Sequence, residues 1–326
     1  MEFLTALVMG KPLWIWISFI SIVIALLALD LGVLNKKSKE ISIKESLIMS
    51  AFYIAIALLF GAWVWTMFGP AAGQDYLTGY IVEKTLSLDN VFVISLIFSY
   101  FAVPVRYQHR VLFWGILGVI VLRAIMIGLG AALVAEFHWV LYIFAMFLIL
   151  TGVKMLVSGD KPMDIEANPA LKFLRRHLRI TPEIEGERFF VTRRDPQTGA
   201  NVRWVTPLFV ALILVEIVDL IFAVDSIPAI FAITADPFIV YTSNIFAILG
   251  LRALFFALAA VVDRFHYLKQ ALALVLVFIG SKLFIADLMG WPKFPATVSL
   301  SVTIGLIAGG ILYSLYRTRT GLPKSV

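Results

Sequence analysis

The chain has 326 residues, 61% of them hydrophobic and 15% charged, with a formal charge of +6 and no cysteine. A soluble domain is roughly half apolar and about a quarter charged, so this composition excludes an ordinary aqueous fold. The missing cysteines exclude a disulfide framework, a thiolate metal site and a cysteine nucleophile, and no motif accompanies the basic excess that would make it a nucleic-acid signal.

In chain order, apolar stretches long enough to cross about 30 Å of hydrocarbon as helix recur nine times. They span residues 13–34, 47–68, 79–102, 111–135, 139–158, 205–233, 240–262, 268–289 and 296–315. This predicts an all-α polytopic membrane protein. The first stretch, from Trp14 to Leu34, is too long for a signal-peptide core and follows a single basic residue, so it reads as a retained helix. Nine crossings put the termini on opposite faces. The loops after the first, third, fifth and seventh stretches, with the C-terminal tail, hold 20 of the 27 Lys and Arg. Lys11 and Lys293 alone fall on the other side. That imbalance predicts a multi-pass protein of the cell inner membrane with a periplasmic N-terminus and a cytoplasmic C-terminus.

Residues 159–204 form the one substantial soluble piece. Leu171 to Ile180 reads as a short interfacial helix with Arg175, Arg176 and Arg179 toward headgroups or water. Phe189–Thr192 and Val202–Val205 flank the turn-forming 195–199 run as a small hairpin. The segment serves as a cover, a linker or a surface for protein partners, with a regulatory role left open.

Two parts of the chain match. Residues 83–90 align with 219–226 at an offset of 136, and Leu122-Arg123-Ala124 aligns with Leu251-Arg252-Ala253 at 129. Phe137-His138 matches Phe265-His266, and Gly152 and Lys154 match Gly280 and Lys282, both at 128. Helices three to five therefore repeat as six to eight, and an odd helix count per unit inverts the second copy. Inverted repeats of this kind build many secondary transporters. The organisation expected is 1–78 for helices one and two, 79–158 for the first repeat, 159–204 for the cytoplasmic loop, 205–289 for the second repeat and 290–326 for the ninth helix and tail.

Six carboxylates fall inside these helices: Asp30, Glu83, Asp89, Glu216, Asp219 and Asp225. A charge at the centre of a membrane helix costs roughly 2.5–3.5 kcal/mol on insertion scales, so the acids must face one another, water, an ion, or the bases Lys84, Arg123, Lys154, Arg252 and Lys282. A purely structural ion-pair network is one reading. The other is a cation route, because carboxylate and amide oxygens suit Mn²⁺, Mg²⁺ or Ca²⁺. On that reading the ligand set is Asp89, Asn90, Glu216, Asp219, Asp225 and Ser226, with Glu83, Asp30, Arg123 and Arg252 as proton carriers or counter-charges. Glu216 and Asp219 share a helix face. Asp219 and Asp225, six apart, diverge by about 120° unless the helix breaks, which Pro228 invites. The methionines read as packing residues, and His109, His138, His177 and His266 as capping or solvated. No nucleotide-binding loop and no catalytic constellation is present, so neither an enzyme nor an organic cofactor is expected; the partners are the bilayer and a divalent cation.

The stretches Glu83-Lys-Thr-Leu-Ser-Leu-Asp89-Asn90-Val-Phe-Val and Glu216-Ile-Val-Asp219-Leu-Ile-Phe-Ala-Val-Asp225-Ser226-Ile-Pro228-Ala-Ile-Phe resemble the TerC family of integral membrane proteins. The resemblance runs over about residues 13–315. It implies manganese export, with the acids of the two motifs handling the ion. It also implies an alternative, because the family takes its name from tellurite resistance: a non-transporting scaffold of an envelope-stress or tellurite-resistance complex. The membrane acids would repel a tellurium oxyanion.

The topology is directly testable. In sealed right-side-out cells, an impermeant thiol reagent should leave an Arg194→Cys variant unlabelled until the membrane is opened; labelling from outside would reverse the assignment.

Overall fold

The computed structural model describes residues 5–32, 43–157, 165–166, 168–194, 200–258 and 267–320. The helices are α1 Leu13–Gly32, α2 Ile43–Phe68, α3 Pro70–Tyr100, α4 Val105–Glu136, α5 Val140–Val157 and α6 Pro169–His177. They continue as α7 Pro207–Ile233, α8 Pro237–Ile248, α9 Leu251–Leu258, α10 Leu268–Leu288 and α11 Ala296–Thr320. Two antiparallel pairs of strands complete the described residues: β1 Leu7–Val8 with β2 Lys11–Pro12, and β3 Phe190–Arg194 with β4 Asn201–Val205. The β3–β4 strands stand where the sequence places them, whereas α6 ends at His177, short of the expected Ile180: Leu178 is extended and Ile180 bridges to Val205, which takes Arg179 off the helix.

Among the described residues eight spans are long and apolar enough to cross a membrane, α8 and α9 together making one of them. Helix α3 is not one of these eight, because of its charges. Its 31 residues span about 46 Å, and it carries Asp75, Glu83, Lys84 and Asp89 because it is wrapped by α2, α7, α8 and α11 rather than by lipid. The α8–α9 span is interior as well, 89% of it buried against 22% for α5. The lipid-facing helices surround these two.

Two helix starts and one helix break differ from the sequence reading in ways that bear on the site, each for a physical reason. Helix α3 begins at Pro70, not 79: Gly69 takes φ 91°, Pro70 suits the first helical position, and Gly73 lets α3 approach Trp65, whose Cβ would lie 2.7 Å from any Cβ placed there. The small and polar run that reads as a turn is thus the start of a helix packed on α2. Helix α4 likewise begins at Val105, directly after Pro104. The break expected beside Asp225 is elsewhere. Helix α7 runs through Pro228 to Ile233, while the following crossing divides at Gly250, which has φ 82° and lies under Tyr53. Lys84 Nζ donates to Ala247 O at 3.1 Å, satisfying one of the carbonyls left open at the end of α8.

The two repeats, α3–α5 and α7–α10, interlock reciprocally. The first helix of each packs on the second of the other, α3 on α8 and α7 on α4, and the third helices α5 and α10 pack on each other. At that last contact a Cβ on Gly152 would sit 2.7 Å from Ala273 O and 2.7 Å from the Val277 side chain. One on Gly280 would sit 2.5 Å from Ala145 O and 2.9 Å from Ile149. These partners are mates at the same offset of 128, so the contact is its own mirror image. On one face of the molecule, Ile165 and Leu171 join Val111, Leu112, Val205 and Leu208 in a single apolar cluster. Arg175 donates to Tyr100 Oη at 2.9 Å and Arg110 pairs with Glu187 at 3.4 Å, which seats α6 and the hairpin against the ends of α3, α4 and α7.

Leucine at Gly280 should overpack this contact and cost about 1–3 kcal/mol. Leucine at Gly305, which has nothing within 4 Å of its Cβ position, should be nearly neutral. Unfolding in mixed micelles measures both.

Candidate functional site

Heptad spacing aims the site residues. In each first helix a carboxylate is followed seven residues on by an amide or hydroxyl, Glu83 with Asn90 on α3 and Asp219 with Ser226 on α7. Seven residues return to nearly the same helix face, and all four side chains point into the bundle and are buried. Arg123 of α4 lies between them. Its Nε and Nη2 donate to Asp219 Oδ2 and Oδ1 at 3.1 and 2.9 Å, the bidentate geometry in which a guanidinium binds a carboxylate best. Its Nη1 pairs with Glu83 and donates to Ser226 Oγ at 3.2 Å and Asn244 Oδ1 at 3.3 Å.

The neutral groups cross over between the motifs. Asn90 Nδ2 of the first donates to Asp219 Oδ1 of the second at 3.0 Å, and Ser226 of the second shares Arg123 Nη1 with Glu83 of the first. Two carboxyl groups thus share one guanidinium, and all three side chains are buried.

A family model described as the integral membrane protein TerC family matches residues 68–322. The chain belongs to the TerC family. An uncharacterized membrane protein of Rickettsia bellii (strain RML369-C) is 52% identical over 93% of this chain and 97% of its own length. One of Myxococcus xanthus is 50% identical over 95% and 94%. A protein of Escherichia coli (strain K12) named "Putative membrane-bound redox modulator Alx" is 46% identical over 91% and 92%. No solved structure matches. Helix α1, which carries Asp30, lies outside the residues that the TerC model matches.

The remaining predicted residues fall into separate places in this TerC protein. Glu216, one turn before Asp219, rests its carboxylate over Gly118, where a Cβ would collide with it. Its Oε2 is buried without a partner in the protein, as is Asn90 Oδ1. Beside them a cavity of about 20 Å³, room for about one water, is lined by Asn90, Asp219, Gly115, Leu112, Val215 and Leu251. It lies on the side of Arg123 that leads toward α6 and the hairpin, since Leu112 belongs to the apolar cluster those elements share.

Asp225 does not join the cluster. With α7 unbroken, the six-residue spacing turns it to α5, where Thr151 Oγ1 lies 3.4 Å away. The side chain of Asp89 lies outside the described residues. Arg252 pairs with Asp30, which Tyr53 also hydrogen-bonds. Among the described residues no three His, Asp or Glu side chains converge as a ready-made metal cage.

Sequence reasoning missed Asn244 and Tyr53. Asn244 carried a signal: it is an amide inside an apolar span, and its mate at offset 129 is Gly115 of the cavity wall.

Removing Arg123 leaves two buried carboxylates uncompensated, so Arg123→Met should cost about 3–5 kcal/mol. Adding Glu83→Gln and Asp219→Asn should restore most of that loss. Unfolding of the single and triple variants in detergent reads the difference.

Proposed function

We propose that this chain is a divalent-cation exporter of the inner membrane whose substrate is Mn²⁺, moved in exchange for protons. The observation that carries the reading is the pairing of two carboxyl groups, Glu83 and Asp219, with the single guanidinium of Arg123, close to two oxygens without a protein partner, Asn90 Oδ1 on the wall of the cavity and Glu216 Oε2 one turn from Asp219. Such oxygen donors suit a hard or borderline divalent ion, with water completing its shell.

Basic-loop asymmetry supports an orientation with α6 and the hairpin in the cytoplasm, so the cavity lies on the side from which an exporter loads. Glu216 and Asp219, one helical turn apart, divide the labour: one neutralises the metal while the other carries a proton. Asp225, turned toward α5 and away from the cluster, serves as a further station on the route. The name of the Escherichia coli relative points to redox modulation; a chain without cysteine has no thiol couple of its own with which to perform it.

Liposomes holding the purified protein and an entrapped metal indicator test the reading. Wild type should move Mn²⁺ under an imposed proton gradient. Asp219→Asn should lower the rate at least about tenfold, equivalent to 1.4 kcal/mol, and Asp89→Asn and Asp225→Asn should also lower it. Metal movement should drive protons the opposite way. Flux equal to that of empty liposomes at every pH difference and voltage would leave the scaffold reading in its place.

A further inference from the structure

We propose that Arg252 is the second guanidinium of the Glu83–Asp219 pair, trading places with Arg123 as the protein passes between two mirror-related forms. The inference deepens the transport reading and rests on it for its purpose.

The repeat relates Arg123 to Arg252 and Glu83 to Asp219. The two acids are therefore each other's mates and meet at the pseudo-twofold axis, whereas the two arginines approach it from opposite sides. A pair of acids on the axis can bind either arginine in the same way. In this structure Arg123 occupies it, and Asp30 holds Arg252 aside.

The unused hydrogen-bonding groups match this exchange one for one. Arg252 is 1% exposed, yet only its Nη2 is engaged, with Asp30; Nε and Nη1 have no partner in the protein. Arg123, by contrast, uses all three nitrogens. The mirror image of its bond to Ser226 is a bond from Arg252 to Asn90, and Asn90 Oδ1 is an acceptor without a protein partner. The mirror image of its contact with Asn244 falls at Gly115, which has no side chain and lines the cavity. The cavity wall also includes Leu251, the residue before Arg252, together with Asn90 and Asp219. A small hollow thus already lies beside Asn90 and Asp219, two of the groups an incoming Arg252 would bond, and the movement itself would have to widen it.

The backbone supplies the means. Arg252 sits on α9, two residues past the break at Gly250, whose φ of 82° only glycine adopts readily. Arg123 sits in the middle of the continuous α4. Asp30 and Tyr53, both outside the repeats, form the latch that holds Arg252 aside.

Thiol accessibility tests this without reference to transport, and a chain with no cysteine gives a clean background. Ile116→Cys reports the cavity on the hairpin side, and Ile245→Cys reports its mirror position. In vesicles oriented by the Arg194→Cys variant, Asp30→Asn should release Arg252. It should raise modification of Ile245→Cys from the side opposite the hairpin by at least about fivefold while slowing Ile116→Cys, as a shift between two populations requires. Tyr53→Phe, a gentler release of the same latch, should act in the same direction. Arg252→Gln should leave Ile245→Cys protected, and combining it with Asp30→Asn should abolish the rise.

A merely structural Arg252–Asp30 pair predicts the reverse for that last variant, since losing both partners loosens the protein at least as much as losing one. Persistence of the rise in the double variant, or no change above about twofold in either folded single latch variant, would overturn the exchange. Absence of Mn²⁺ flux with this labelling pattern intact would instead overturn the cargo and leave the exchange standing.

Discussion

One guanidinium, that of Arg123, binds both halves of the protein. Its donors are divided between Glu83 of the first repeat and Asp219, Ser226 and Asn244 of the second. Without it the two acids would stand unneutralised in a medium where each costs a few kcal/mol. With it they become the attachment between α3, α4, α7 and α8, and the interior position of those helices follows. The arrangement also explains why the acids are tolerated at all: they face a cation and an amide, and the chain folds around that pairing.

Symmetry accounts for the architecture and its breaking accounts for the chemistry. The contact of Gly152 with Gly280 is nearly self-mirrored, down to which carbonyl each approaches. The second helices are not equivalent. Helix α4 is continuous while its mate divides at Gly250, and where α8 places Asn244 against the guanidinium, α4 places Gly115 beside open space. The mirror positions are therefore filled on one side of Arg123 and hollow on the other. A repeat with two identical halves would give neither a preferred side nor a preferred partner for the axial acids.

Much of this was legible in the residues alone. Charges in apolar spans announce themselves, and the matched offsets of 136, 129 and 128 foretold the interlocked repeats. The spacing of six between Asp219 and Asp225 already implied divergent directions; the structure keeps them apart because packing carries α7 straight through Pro228. Local rules failed where tertiary contacts overrode them. The stretch from Pro70 to Thr78 has the composition of a turn but is held helical by Gly73 against Trp65, and Gly250 looks like any membrane glycine until Tyr53 is packed upon it. The preference of Arg252 for Asp30 was also beyond reach, since it depends on which of two equivalent arginines occupies the axis.

The length of α3 carries a consequence of its own. A helix of about 46 Å is far longer than the hydrocarbon layer it crosses, and a lipid-facing helix of that length would have to tilt or distort the bilayer. Helix α3 meets α2, α7, α8 and α11 instead, so hydrophobic mismatch acts on the rim helices. The helix carrying Glu83 and Asn90 is insulated from it. Thickening or thinning the surrounding membrane should strain the outer shell well before it alters the spacing of the buried charges, which gives one structure the means to work unchanged in bilayers of different composition.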